Sequence, residues 1–182
     1  KVNPSGKLNV SFPRSTGNTP CFYNHFVTDR EESFDQPGTP EEPKGHYIFD
    51  KPEPLWNFGH GKSYTTFDYV DCALSDTLLV ASDTLKVSVT IKNTGRRDGK
   101  EVVQLYVRDK VSTVATPIQQ LKAFQKVLIK PGESQCVELS LPIAELALYN
   151  AKMEEVVEPG DFEIQIGAAS DDIRFKKTIT IN

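Results

Sequence analysis

From residue 66 onward the chain alternates. Leu85, Val87, Val89 and Ile91 are spaced by Lys86, Ser88 and Thr90; Val103, Leu105 and Val107 by Gln104, Tyr106 and Arg108. The same period of two runs through Val137, Leu139 and Leu141, through Phe162, Ile164 and Ile166, and on to Ile173, Phe175, Ile179 and Ile181. A period of two with one apolar side predicts strands covered on one face, because successive side chains point to opposite sides of a sheet. Turn residues separate the runs: Asn93-Thr94-Gly95, Asp98-Gly99, Pro131-Gly132 and Pro159-Gly160. Only residues 143–149, after Pro142, offer a short helical turn. Some seven strands without intervening helices predict an all-β, two-sheet sandwich of the fibronectin type III or immunoglobulin kind and exclude a parallel α/β sheet.

Residues 1–65 behave differently. Pro and Gly recur from Pro4 to Gly61, and only Leu8, Val10 and Phe12 alternate in a way that predicts a strand, over residues 8–12. Glu31, Glu32, Asp35, Glu41 and Glu42 make the middle acidic, as expected of a solvated excursion. The segment is nevertheless aromatic: Phe12, Phe22, Tyr23, Phe26, Phe34, Tyr47, Phe49, Trp56, Phe58 and Tyr64. A tether that stays in water has no use for so many rings. The expected organisation is therefore a loop-rich arm, 1–65, packed along another surface, followed by a sandwich, 66–182.

Composition narrows the function classes. With 182 residues, 38% hydrophobic residues and a formal net charge of −4, the chain has room for one ordinary core and shows no run of apolar residues long enough to cross a membrane. No clustered basic face is visible in the linear sequence, so a nucleic-acid partner is not expected. The sequence begins Lys1-Val2-Asn3 with no leader pattern and has its one methionine at Met153. It is expected to be a processed chain or part of something longer, with its address left open.

The chemistry-bearing motifs are weak. Cys21, Cys72 and Cys136 lack metal or redox spacing and are expected to be isolated, buried or half-buried thiols. Gly61-Lys62-Ser63 matches the end of a phosphate-binding loop, but Trp56 stands where the leading glycine belongs and β-forming residues follow. His25, His46 and His60 share no metal spacing; Glu154-Glu155 and Asp171-Asp172 are neighbours that a strand would point apart. Asn9-Val10-Ser11 fits a glycosylation acceptor, a very common pattern. No catalytic, cofactor-binding or metal-binding residue is assigned, and the expected activity of the chain itself is none.

The longer motifs resemble one family. The run from Pro4 to Ser15, PSGKLNVSFPRS, Tyr23-Asn24-His25, and the run from Pro54 to Phe67, PLWNFGHGKSYTTF, resemble segments of glycoside hydrolase family 3, the β-glucosidases and their relatives. The residues VTIKNTG from Val89, GKEVVQLYVRD from Gly99, QLKAFQKV from Gln120, KPGE from Lys130 and VEPG from Val157 are similar to that family's fibronectin type III-like domain, in the same order. The chain differs at Asn57, His60 and Lys62, where the family has Pro, Tyr and Leu.

The resemblance implies a parent that hydrolyses terminal β-linked sugars such as β-D-glucosides, with both catalytic carboxylates on earlier domains. This chain would be the tail of the α/β domain plus the auxiliary sandwich. Its implied role is to brace the missing catalytic domains, and its implied parent is periplasmic or secreted. Phe22, Tyr23 and Phe26 are then expected to be exposed, folded back or set against another copy. The connection 109–119 is a candidate for a loop that reaches an oligosaccharide, against the plainer reading of a crossover. The rival from another class is an independent carbohydrate-binding or adhesion sandwich, which needs exposed strand-borne aromatics. Tyr106 and Tyr149 are the two it could use.

Overall fold

The computed structural model describes residues 2–26, 39–41, 51 and 53–182. Phe34, Tyr47, Phe49, His46 and most of the acidic stretch lie outside the described residues. Among the described residues ten strands follow in order: β1 (Phe67–Leu74), β2 (Leu78–Leu79), β3 (Thr84–Asn93), β4 (Gly99–Asp109), β5 (Gln120–Ile129), β6 (Ser134–Pro142), β7 (Leu148–Tyr149), β8 (Glu155–Val156), β9 (Gly160–Ala169) and β10 (Asp172–Ile181). One sheet has the order β1-β3-β6 and the other β2-β10-β9-β4-β5, with β7 and β8 forming a separate ribbon. Pairing is antiparallel except where β2 joins β10 in parallel. The chain is an all-β sandwich, as its alternation predicts.

The interior comes from the predicted apolar positions. Leu85, Val87, Val89 and Ile91 of β3 face Val103, Leu105, Ile164, Ile166 and Ile179 across the two sheets, all essentially shielded from water. Burial of this kind is worth about 25 cal/mol per Å2 of apolar surface, the main favourable contribution to folding. Residues 143–149 divide into a 3-10 turn, Ile143–Leu146, that drops Ile143 and Leu146 into the core, and the edge of the small ribbon.

Asn93 is the polar exception. It is fully buried, yet its Nδ2 donates to the carbonyls of Arg97 and Ile129, each at 2.8 Å, and its Oδ1 accepts from Thr65 Oγ1 at 2.7 Å. One satisfied amide thus ties the β3–β4 turn, the end of β5 and the end of the arm together.

Two expectations are corrected. Residues 8–12 do not form a strand: Phe12 makes a single bridge to Trp56, and Leu8 exchanges backbone hydrogen bonds with Gly59 and His60. Strand β4 is not covered on one side only. Val102, Gln104 and Tyr106 are buried on the face opposite the core, the last two because Gly59 and Tyr23 of the arm lie on them.

Candidate functional site at the arm–sheet junction

The junction begins with Gly59. Its φ of +80° is one that L side chains rarely adopt, and a Cβ there would run into the Gln104 amide and stand 3.0 Å from the Tyr106 hydroxyl. With no side chain in the way, Gly59 and Phe58 settle onto the outer face of β4 and β9. Ser170 donates its backbone N–H to the Phe58 carbonyl at 3.0 Å. Phe58 stacks on Tyr23 at 4.1 Å between centroids, and Tyr23 meets Tyr106 edge-on at 6.0 Å.

Below the rings Gln104 and Tyr106 are matched, whereas His60 Nε2, next to Gly59, is buried without a partner among the described residues. Tyr106 donates its hydroxyl to Gln104 Oε1 at 2.6 Å, and Gln104 Nε2 donates to the Ala168 carbonyl at 2.6 Å. Lys7 reaches the same region, donating to Ala168 O at 3.0 Å and to Glu101 Oε1 at 3.1 Å. This ion pair is largely buried. Burial pushes the Tyr69 phenol well above its ordinary range, and the Glu101 and Asp172 carboxylates push it further. Burial likewise raises Tyr106. Both phenols therefore stay protonated and act as donors, not as acids.

The connection 109–119 is held down at both ends. Glu158 accepts from the backbone N–H and hydroxyl of Thr113 and from Ser112 Oγ. These bonds, the Thr113 hydroxyl first, hold its carboxyl below the usual range. At the other end Ile118 N–H donates to the His25 carbonyl at 2.9 Å, Phe26 bridges Pro117, and Gln119 Nε2 donates to Ser170 O at 3.0 Å.

The weaker sequence motifs disperse. Lys62 lies 5.2 Å over the Trp56 ring and Ser63 Oγ donates to Asn3, so Gly61-Lys62-Ser63 cradles no phosphate geometry and runs into a strand. His60 stacks on Trp56 at 4.5 Å, while His25 lies by the 109–119 connection. Asp171 accepts from Asn57 and Asp172 pairs with Arg174, so the two carboxyls serve separate partners. Among the described residues no three His, Cys, Asp or Glu are placed to hold a metal ion. Asn9 is exposed, whereas the Ser11 hydroxyl is buried without a partner among the described residues.

Three further outcomes bear on function. Cys72 is buried and Cys21 half-buried as expected, but Cys136 is exposed on β6, an edge strand. Tyr106 is not a surface ring; at 0% exposure it is the floor of the junction. Tyr23 folds back onto the sheet, whereas Phe22 stays 63% and Phe26 56% exposed. Gln104 was not singled out by the sequence. A polar residue at mid-strand flanked by buried positions was the available signal.

Comparison with known proteins agrees with this geometry. Residues 101–170 match the fibronectin type III-like domain family. The chain is 40% identical over 171 residues to a periplasmic β-glucosidase of Salmonella typhimurium, covering 92% of this chain and 22% of that protein. It is 42% identical over 175 residues to a β-xylosidase of Formosa agariphila, covering 95% of this chain and 23% of that one. A Listeria innocua β-glucosidase solved in complex with isofagomine superposes with a TM-score of 0.86 at 37% identity, over 99% of this chain and 25% of that one. The chain thus spans less than a quarter of the length of these two curated relatives.

Proposed function

For a chain that belongs to the C-terminal, fibronectin type III-like region of family 3 glycosidases, we propose a bracing role. On this reading residues 1–65 are a joining arm and residues 66–182 the sandwich it is bolted to. The parent is a periplasmic or secreted enzyme hydrolysing terminal β-linked sugars such as β-D-glucosides, and the chemistry is done by its other domains. The observation that carries the proposal is the two-sidedness of the arm. One side is seated on β4 and β9 through Tyr23, Phe58 and Lys7. The other side presents Val10, Phe12, Phe22, Leu55 and Trp56 to solvent. Exposed apolar surface of this kind marks a place where a neighbour belongs, and the neighbour is the preceding catalytic domain.

The 109–119 connection is not the expected crossover, because it joins the neighbouring antiparallel strands β4 and β5 of one sheet; we read it as a long hairpin connection, restrained by Glu158 and the arm, rather than a substrate loop. The rival sugar-platform reading loses its central residue with Tyr106 in the interior.

The test has two arms. The purified chain should not turn over chromogenic β-glucosides or β-xylosides, whereas the full-length parent should; turnover that follows this chain through purification would overturn the proposal. In the parent, Phe12→Ser with Trp56→Ser should lower the temperature at which activity is lost by several degrees and leave KM unchanged. An unchanged inactivation temperature would remove the bracing role.

A further inference from the structure

The linear sequence hides a basic corner. Arg96 and Arg97 sit in the β3–β4 turn, which Asn93 ties to the β5–β6 turn carrying Lys130. The β4–β5 register then places Lys100 opposite Leu128 and Val102 opposite Lys126, on the outer face of the sheet beside that corner. All five cations are exposed and none has a carboxylate within ion-pair distance among the described residues; the pairs formed are Lys7–Glu101, Lys86–Glu138, Arg174–Asp172 and Lys176–Glu163. Asp98 and Glu133 are the acids in the same two turns. On a chain of net charge −4 this is a local reversal of sign.

The corner is also concave and partly apolar. Val2, Tyr64 and Leu128 line a cavity of about 380 Å3 together with two cations, Arg97 and Lys100, and one acid, Asp98. Tyr64 is 66% exposed, and Phe124, two register positions along the same face from Leu128, is equally so. Planar guanidinium groups take carboxylates in two parallel bonds, ammonium groups take them as point charges, and an exposed phenol ring offers a flat apolar face with a polar tip. A flat lipid surface calls for a convex or planar apolar contact, whereas a hollow of some hundreds of Å3 encloses a small ring-shaped group.

We propose that this corner binds a carboxylate-bearing polysaccharide, with a uronic acid carboxylate held between Arg97 and Lys100 and the pyranose face against Tyr64. The choice of a sugar polymer rests on the glycosidase reading above; the charge and the shape do not. The site would hold the parent on an acidic polymer while leaving the chemistry elsewhere.

The test uses the whole chain and an α-linked hexagalacturonate, a ligand whose binding does not depend on a β-glycosidase active site. Calorimetric titration at low salt should show saturable binding that weakens about tenfold or more as salt is raised to physiological strength. The triple variant Arg97→Glu, Lys100→Glu, Lys126→Glu should lose that binding at least tenfold with unchanged melting. The charge-matched control Lys92→Glu, Lys110→Glu, Lys152→Glu should keep it. Tyr64→Ala should weaken binding severalfold without altering its salt dependence.

No binding, equal loss in both triple variants, or equally tight binding to a DNA duplex or to phosphatidylglycerol vesicles would overturn the proposal. Turnover of chromogenic β-glucosides by the parent is read separately, so failure of the glycosidase assignment and failure of this site are distinguishable.

Discussion

The two faces of strand β4 are built by different rules. Its inner face, Val103, Leu105 and Val107, is apolar, and its partners are strands with the same alternation. Its outer face, Gln104 and Tyr106, is polar and aromatic, and is closed by Gly59, Phe58 and Tyr23 from the arm. The inner face tolerates exchange of similar shapes, because the hydrophobic effect has no direction. The outer face does not, because its donors are matched to particular acceptors and the glycine has one allowed fit. The sandwich is therefore specified by pattern and the junction by particular residues.

The largest expected effect separates the two directly. Leu85→Ala, in the core, should cost about 3 kcal/mol and lower the denaturant midpoint of the whole fold, followed by circular dichroism. Gly59→Val should instead release the arm from the sheet. Trp56, the one tryptophan, lies in the arm and reports that release by fluorescence. The strand signal should survive with a smaller shift, and loss of both signals together would show that arm and sandwich are one cooperative unit.

Next in size is Tyr106→Phe. Removing the hydroxyl leaves Gln104 Oε1 buried without its donor, and such an orphan costs about 1–2 kcal/mol. Gln104→Leu with Tyr106→Phe removes both polar partners and should recover part of that loss. If the double variant is as weak as the sum of the two singles, the pair does not act as a unit.

The smallest effect is on the 109–119 connection. The Glu158 pKa is lowered in the folded chain, so its contribution is present above the ordinary glutamate range, near 4.3, and fades as pH falls through the lower folded value. The Thr113 amide resonance should track that titration with a midpoint below the ordinary value, and Glu158→Gln should abolish it. A midpoint above 4.3 would contradict the hydrogen-bonded geometry.

Legibility followed the same divide. Strands β3, β4, β6, β9 and β10 could be read because each carries three or four alternating apolar positions, while β2, β7 and β8 hold two residues apiece, too few for a period to show. Residues 8–12 carry the alternation of a strand but form only the Phe12–Trp56 bridge with residues 55–60, because the turn at 57–60 diverts that partner segment onto the sheet. Tyr106 read as a surface ring because alternation says which residues share a face, not whether something far away in sequence covers it. Its cover comes from Tyr23 and Phe58. The basic corner was hidden for the same reason: Lys100 and Lys126 become neighbours only through hairpin register, and Arg97 joins them through Asn93.

The contacts of Lys7 carry a consequence for synthesis. Its acceptor at Ala168 lies 161 positions later, and the Phe58 carbonyl waits for the amide of Ser170. The arm, made before the sandwich, is thus fastened only once the closing β9–β10 hairpin exists. A message cut short before that hairpin would yield a product in which Lys7 and Phe58 lack their partners at Ala168 and Ser170.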